Sequence, residues 1–128
     1  MAREATLRLE LFVRDLERAV AFYRDVLGFS VGNAQPDYVD VRLGSVTFGL
    51  GPQDRLRAAH HFGQAALQQQ KGTGVEIVIE VDDVEAAHAR VVAAGHPLSG
   101  NLGRRSWGLT DFRVIDPDGY YLRMTSRA

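Results

Sequence analysis

The 128-residue chain contains no cysteine, which excludes disulfides, thiolate metal sites and a cysteine nucleophile. Lysine is almost absent as well. Of the fifteen basic residues only Lys71 is lysine and the other fourteen are arginine. The arginine fork suits flat anions, although most such side chains serve as solvated surface charge. Neither sign of charge dominates: the formal net charge is −1, which leaves out the basic surface that nucleic acid or an anionic membrane requires. No apolar run approaches membrane-spanning length, and Met1 to Leu7 is polar with no apolar signal core, so the cytoplasm is the expected location. There is no glycine-rich phosphate loop between a strand and a helix, and no Ser-His-Asp set. What is present is a globular composition, 45% hydrophobic and 24% charged. It suits a single domain over residues 1–128 with one sizeable core.

The chain repeats itself. Leu9, Leu11, Val13, Asp15, Glu17, Ala19 and Ala21 align with Ile77, Ile79, Val81, Asp83, Glu85, Ala87 and Ala89. Each copy begins with period-two alternation, the pattern of a strand with one buried face. Asp15 and Asp83 then stand where a helix begins, and a short carboxylate there accepts orphan backbone N–H groups and favours the positive dipole end. Leu16, Ala19, Val20, Tyr23 and Leu27 share one face of the first helix, and Val84, Ala87, His88 and Val91 one face of the second. Gly28 and Gly95 sit where helix-ending glycines belong.

The remainder of each copy reads as strands. Tyr38 to Leu43 and Val46 to Leu50 form one hairpin around Gly44-Ser45. Asp111 to Ile115 and Tyr120 to Thr125 form another around Asp116-Pro117-Asp118-Gly119, in which the two aspartates read as turn formers. Short strands near Phe29 to Val31 and Pro97 to Ser99 complete two tandem βαβββ modules, about 6–52 and about 74–127. The expected class is therefore α+β, a curled mixed sheet around a cleft. The connecting segment, about 53–73, suggests a weak helix through Leu56, Ala59, His60 and Leu67, then a mobile linker from Gln68 to Gly74.

Residues Val13 to Phe29, Glu80 to Val84, and Trp107-Gly108 with Phe112 and Asp116 to Gly119 carry a further signal. Together they resemble the vicinal oxygen chelate superfamily, the glyoxalase, bleomycin-resistance and extradiol-dioxygenase group. The resemblance covers nearly the whole chain. It implies a divalent metal held in the cleft by histidine, glutamate or glutamine from the first and last strands of each module. Carried over position by position, those sites fall on Arg8, the neighbourhood of Phe48, Glu76 and Arg123. Arginine has no lone pair to offer a metal. Glu76 alone could ligate, and one carboxylate between guanidinium groups makes a poor metal site. None of His60, His61, His88 and His96 falls on a ligand position. The departure points to the metal-free antibiotic-binding branch, with no metal and no cofactor.

Glu76 and Arg123, with Arg8 as a third partner and Glu10 on the same strand face as Arg8, read as an ion-pair cluster. It either orients a polar ligand group or simply replaces the lost metal. Trp107, the single tryptophan, lies in a glycine-flanked loop where it can stack on a flat ligand or belong to the core or a dimer interface. Tyr38, Phe48, Phe112 and Tyr121 lie on expected strands, either lining the cleft or filling the core. The resulting expectation is a protein that sequesters a hydrophobic or aromatic antibiotic-like natural product, confers resistance without chemistry, and works as a homodimer without nucleic-acid or membrane partners. The alternative is a metal-dependent lyase, isomerase or dioxygenase of the glyoxalase type with an atypical site.

Overall fold

The computed structural model describes residues 4–63 and 70–127. Its first half runs β1 (Leu9–Val13), α1 (Leu16–Ala21), β2 (Ser30–Gln35), β3 (Tyr38–Leu43) and β4 (Val46–Pro52). The second runs β5 (Ile77–Val81), α2 (Val84–Ala93), β6 (Gly100–Arg104), β7 (Thr110–Ile115) and β8 (Tyr121–Ser126). The two halves build two four-stranded mixed sheets with the same order, β1-β4-β3-β2 and β5-β8-β7-β6, and neither sheet closes. In each, the first strand runs parallel to the last and the other pairs are antiparallel.

The helices start where the aspartates place them. Asp15 Oδ1 accepts the Arg18 N–H at 3.1 Å and Asp83 Oδ1 accepts the Ala86 N–H at 2.9 Å. Helix α1 widens into a π-type turn over Phe22–Val26. Gly28 and Gly95 take φ of 82° and 74° beyond the helix ends, which only glycine does without cost.

Alternation decides which face is buried. Leu11, Val13, Val39, Val41, Phe48 and Leu50 point to the helix side in the first module, and Ile79, Phe112, Val114, Leu122 and Met124 in the second, joined in one core with Ala19, Phe22, Tyr23, Val84 and Val91. Phe48 packs against Tyr23 and Phe29, and Phe112 against His88. Both phenylalanines are therefore core and not cleft wall, with 2% and 0% of their surfaces exposed.

The turn at Asp116–Gly119 does more than reverse the chain. Asp116 Oδ1 accepts the N–H groups of Asp118 and Tyr120, and its Oδ2 accepts the Tyr23 hydroxyl at 2.6 Å. Asp118 Oδ1 accepts the Arg14 N–H at 2.8 Å, and the Tyr120 hydroxyl donates to the Phe12 carbonyl at 2.9 Å. These bonds tie the second module to the end of β1 and to α1. Burial pushes the Tyr23 hydroxyl well above its ordinary range, with Asp116 as the next cause. Burial likewise raises both carboxylates against the opposing pull of their hydrogen bonds.

Over the described residues 53–63 the connecting segment differs from the expected helix. Gln53–Arg55 makes one 3-10 turn, and residues 57–63 follow as short turns closed by His60 N–H to the Arg57 carbonyl and Gly63 N–H to the His60 carbonyl. The His60 ring nitrogen takes up the Phe62 N–H, offering the backbone an alternative to helix. Leu67, Gln68 and Gln69 lie outside the described residues. Residues 71–74 form a turn in which Lys71 is buried and the Val75 N–H donates to the Gly72 carbonyl.

Candidate functional site

Each sheet turns one face to the helices and leaves the other open. On the first sheet the open face carries Glu10 and Phe12 from β1, Tyr38 and Asp40 from β3, and Gly49 from β4. On the second it carries Val78 and Glu80 from β5, Asp111 and Arg113 from β7, and Tyr121, Arg123 and Thr125 from β8. The registers make the faces comparable. Glu10 pairs with Gly49 and Asp40 with Gly49, while Val78 pairs with Arg123 and Arg113 with Arg123. Arg123 therefore corresponds to Gly49 and not to Phe48, whose ring points the other way.

On the second face Glu76, just ahead of β5, bridges two arginines. Its Oε1 lies 3.3 Å from Arg123 Nη2 and its Oε2 3.2 Å from Arg113 Nε. Asp111, with a fully buried side chain, stands behind them. Its Oδ1 accepts Arg105 Nε at 2.7 Å and lies 3.5 Å from Arg113 Nη1, and its Oδ2 is 4.0 Å from Arg123 Nη1. Arg105 also donates to the Asn101 carbonyl. The result is three guanidinium groups around two carboxylates, the arrangement that buried charge requires. The pairing is not complete, because Asp111 Oδ2 and Arg123 Nε are sealed off without a hydrogen bond. The Arg123 guanidinium carbon lies 5.9 Å from the centre of the Trp107 ring, and Trp107 is 55% exposed. Together Val78, Glu80, Trp107, Leu109, Arg123 and Thr125 line an open pocket of about 420 Å³.

The first face is built differently. The Tyr38 hydroxyl donates to the Glu10 carboxylate at 3.0 Å, and Arg8 pairs with the same carboxylate at 2.9 Å. Burial first, then Glu10, raises the Tyr38 hydroxyl above its ordinary range. Gly49 lies under this pair, where an added Cβ would overlap both Glu10 Oε2 and the Tyr38 oxygen. Asp40 accepts the Asn33 N–H at 3.0 Å inside the irregular stretch of β2.

The structure thus gathers Glu76, Arg123 and Trp107 at one face, and Arg8, Glu10 and Tyr38 at the other. Arg8 does not join Glu76. It belongs to the other sheet, and Glu10, two residues along the same strand face, takes it. Tyr121 lies on the second face near Arg113, and Phe48 and Phe112 are in the core. Sequence reasoning missed Asp111, Arg113 and Arg105. The i, i+2 spacing of Asp111 and Arg113 on a strand that pairs with Arg123 was the available signal.

The open faces fit a metal poorly. Arg8, Gly49 and Arg123 offer no ligand atom, and both Glu76 oxygens face guanidinium groups. Among the described residues no three His, Asp or Glu side chains come together in a way that could grip an ion. No described helix is long and apolar enough to cross a membrane.

Two mixed sheets in tandem βαβββ modules, each with an open face, define the class. Residues 6–124 match the model of the Glyoxalase/Bleomycin resistance protein/Dioxygenase superfamily, and the chain belongs to that superfamily. It is 32% identical over 121 residues to the lactoylglutathione lyase of Haemophilus influenzae, covering 89% of this chain and 86% of the relative. A crystal structure of a protein of unknown function from Agrobacterium tumefaciens superposes with a TM-score of 0.81 at 26% identity, covering 100% of this chain and 98% of the other. TioX from Micromonospora sp. ML1 superposes with a TM-score of 0.80, covering 98% of this chain and 100% of TioX, and at 23% identity that likeness speaks to the fold alone.

Proposed function

We propose that this protein binds a hydrophobic or aromatic, antibiotic-like small molecule and sequesters it without breaking a bond. The observation that carries this reading is the make-up of the second open face. An exposed indole beside a guanidinium, with carboxylates and arginines already paired behind it, suits a flat ligand bearing a polar group. Trp107 would stack on the ligand, Arg123 and Glu76 would orient its polar edge, Tyr121 would border that same face, and Arg8, Glu10 and Tyr38 would border the first one. A second copy of the chain would cover these open faces and make a cleft of them, so the working form in this reading is a homodimer. Capture of one ligand per site would then confer resistance stoichiometrically.

The test is titration of chelator-treated protein with a panel of aromatic natural products, followed by Trp107 fluorescence. Saturable quenching that Arg123→Ala weakens about tenfold or more is the expected result. A panel in which nothing binds sinks the reading. The names of the curated relatives favour a second reading, a metal-dependent isomerase or lyase of the glyoxalase type with an atypical site. Elemental analysis of untagged protein separates the two. Stoichiometric divalent metal whose removal abolishes a turnover would reverse the order.

A further inference from the structure

Lys71 is the only lysine in the chain, and it is buried. Its amine donates to Gln53 Oε1, and Gln53 Nε2 in turn donates to the Phe62 carbonyl at 3.2 Å. Gln53 is 1% exposed, so this relay is a built part of the interior and not a surface contact. Among the described residues no carboxylate lies within ion-pair distance of Lys71, and Asp118 and Asp116 act on it from further off. An amine has three donors when charged and a lone pair when neutral, and one amide oxygen satisfies neither state fully. Lys71 and Gln53 line a pocket of about 450 Å³ together with Phe12, Phe62, Val75 and Tyr120. Phe12 and Phe62 lie with ring centres 5.3 Å apart at a tilt of 40°, an aromatic wall on one side of it. A buried amine that rests on one amide oxygen beside an aromatic pair is costly to keep charged, and in its neutral form it is a nucleophile.

We propose that this pocket is a site for aromatic aldehydes, which Lys71 captures reversibly as an imine. The flat ring would lie against Phe12 and Phe62 with its carbonyl carbon toward the amine. The amine nitrogen adds its lone pair to that carbon, and the carbonyl π electrons move to oxygen. One N–H proton transfers to this oxygen to give a carbinolamine. The hydroxyl group then leaves with the second N–H proton as water, and a C=N double bond remains. No oxidant or reductant is needed, and water reverses the step. Burial, and secondly the Arg14 charge, lower the Lys71 pKa against weaker opposing pulls from Asp118 and Asp116. That enlarges the fraction of nucleophilic amine near neutrality. Glu10, which the sequestration reading gives to its own ligand, also lines this pocket, but the two readings are tested apart, since that titration reports on Trp107 and the experiment below on Lys71.

The experiment uses the full chain, benzaldehyde and cyanoborohydride at neutral pH, with peptide mapping of the labelled amine. Having a single lysine makes the assignment unambiguous, and the chain's α-amino group is the internal reference. Lys71 in the folded protein should label at least about tenfold faster, relative to that reference, than in the urea-unfolded chain. Phe62→Ala and Phe12→Ala should slow the folded-state labelling and leave the unfolded rate unchanged. Folded-state labelling equal to or slower than the unfolded rate overturns the proposal, since that is what burial alone produces. An equal folded-state advantage for acetaldehyde overturns the aromatic selectivity.

Discussion

The two modules share strand order, register and helix caps, yet their open faces have diverged in charge and packing. The first face holds its carboxylates singly: Glu10 by a tyrosine and an exposed arginine, Asp40 by a backbone N–H and an exposed Arg42. The second replaces Gly49 with Arg123 and Asp40 with Arg113, and must then bury Asp111 to balance them. The same backbone thus supports a light polar surface in one copy and a dense ion-pair cluster in the other. Burial makes the difference energetic: an exposed pair contributes little, whereas a buried pair becomes strongly destabilising once one partner is removed.

The largest expected effect follows from that contrast. Asp111→Ala should cost about 3 kcal/mol in urea unfolding, because three guanidinium groups lose their buried counter-charge. Asp40→Ala should cost nearer ~1 kcal/mol, since Arg42 is largely exposed and one backbone hydrogen bond is lost. Equal costs would show that the two faces are energetically alike after all.

Next comes the bond between modules. Asp116→Ala removes acceptors for Tyr23 and two backbone N–H groups, at a cost of about 2 kcal/mol. The pH dependence has a definite sign. The folded-state pKa of Asp116 lies above the ordinary 3.8, so the folded state binds the proton more tightly than the unfolded one. Stability from this group is fully present below the ordinary value and is lost as pH rises through the folded pKa. Asp116→Asn, which cannot ionise, should gain on the wild type as pH rises through that window. Unfolding midpoints taken at pH 3 and pH 7 check it, and a gap that moves the other way refutes the assignment.

A smaller effect sharpens the comparison within the first face. Gly49→Ala should cost about 1.5 kcal/mol, because the new methyl must displace Glu10 and Tyr38 from their bond. The raised Tyr38 pKa should then fall back toward its ordinary value, which ultraviolet titration against Tyr38→Phe measures. Arg8→Ala closes the series. With its side chain 62% exposed, Arg8 should contribute no more than about 0.5 kcal/mol by the same unfolding assay.

The fold was legible in the sequence because its signals are local. Asp15 and Asp83 cap helices through bonds only three residues long, and strand alternation sorts each side chain to a face whatever lies opposite. The Glu76–Arg123 pair was also readable, since the repeat places Glu76 at the entry to a strand that lies beside the strand of Arg123. Phe48 and Phe112 were not assignable beforehand, because aromatic residues on a strand suit a cleft wall and a core equally well. Their placement depends on which face the helices cover. Of the two carboxylates the cluster offered Arg8, it meets Glu10 and not Glu76, because alternation gives a face but not which sheet lies across from it. Asp111 and Arg105 escaped notice because their roles exist only when β6, β7 and β8 are side by side.

The sequence alone determined the doubled βαβββ plan, the helix starts and the presence of Arg8 and Arg123 where the family resemblance puts ligands, since each depends on residue identity and short spacing. Only the tertiary structure decided which charges are paired, that Asp111 is buried beneath the arginines, and that the lone lysine lines a pocket beside Phe12 and Phe62. Those outcomes depend on contacts between segments far apart in the chain, where burial and distance fix the energy of every charge.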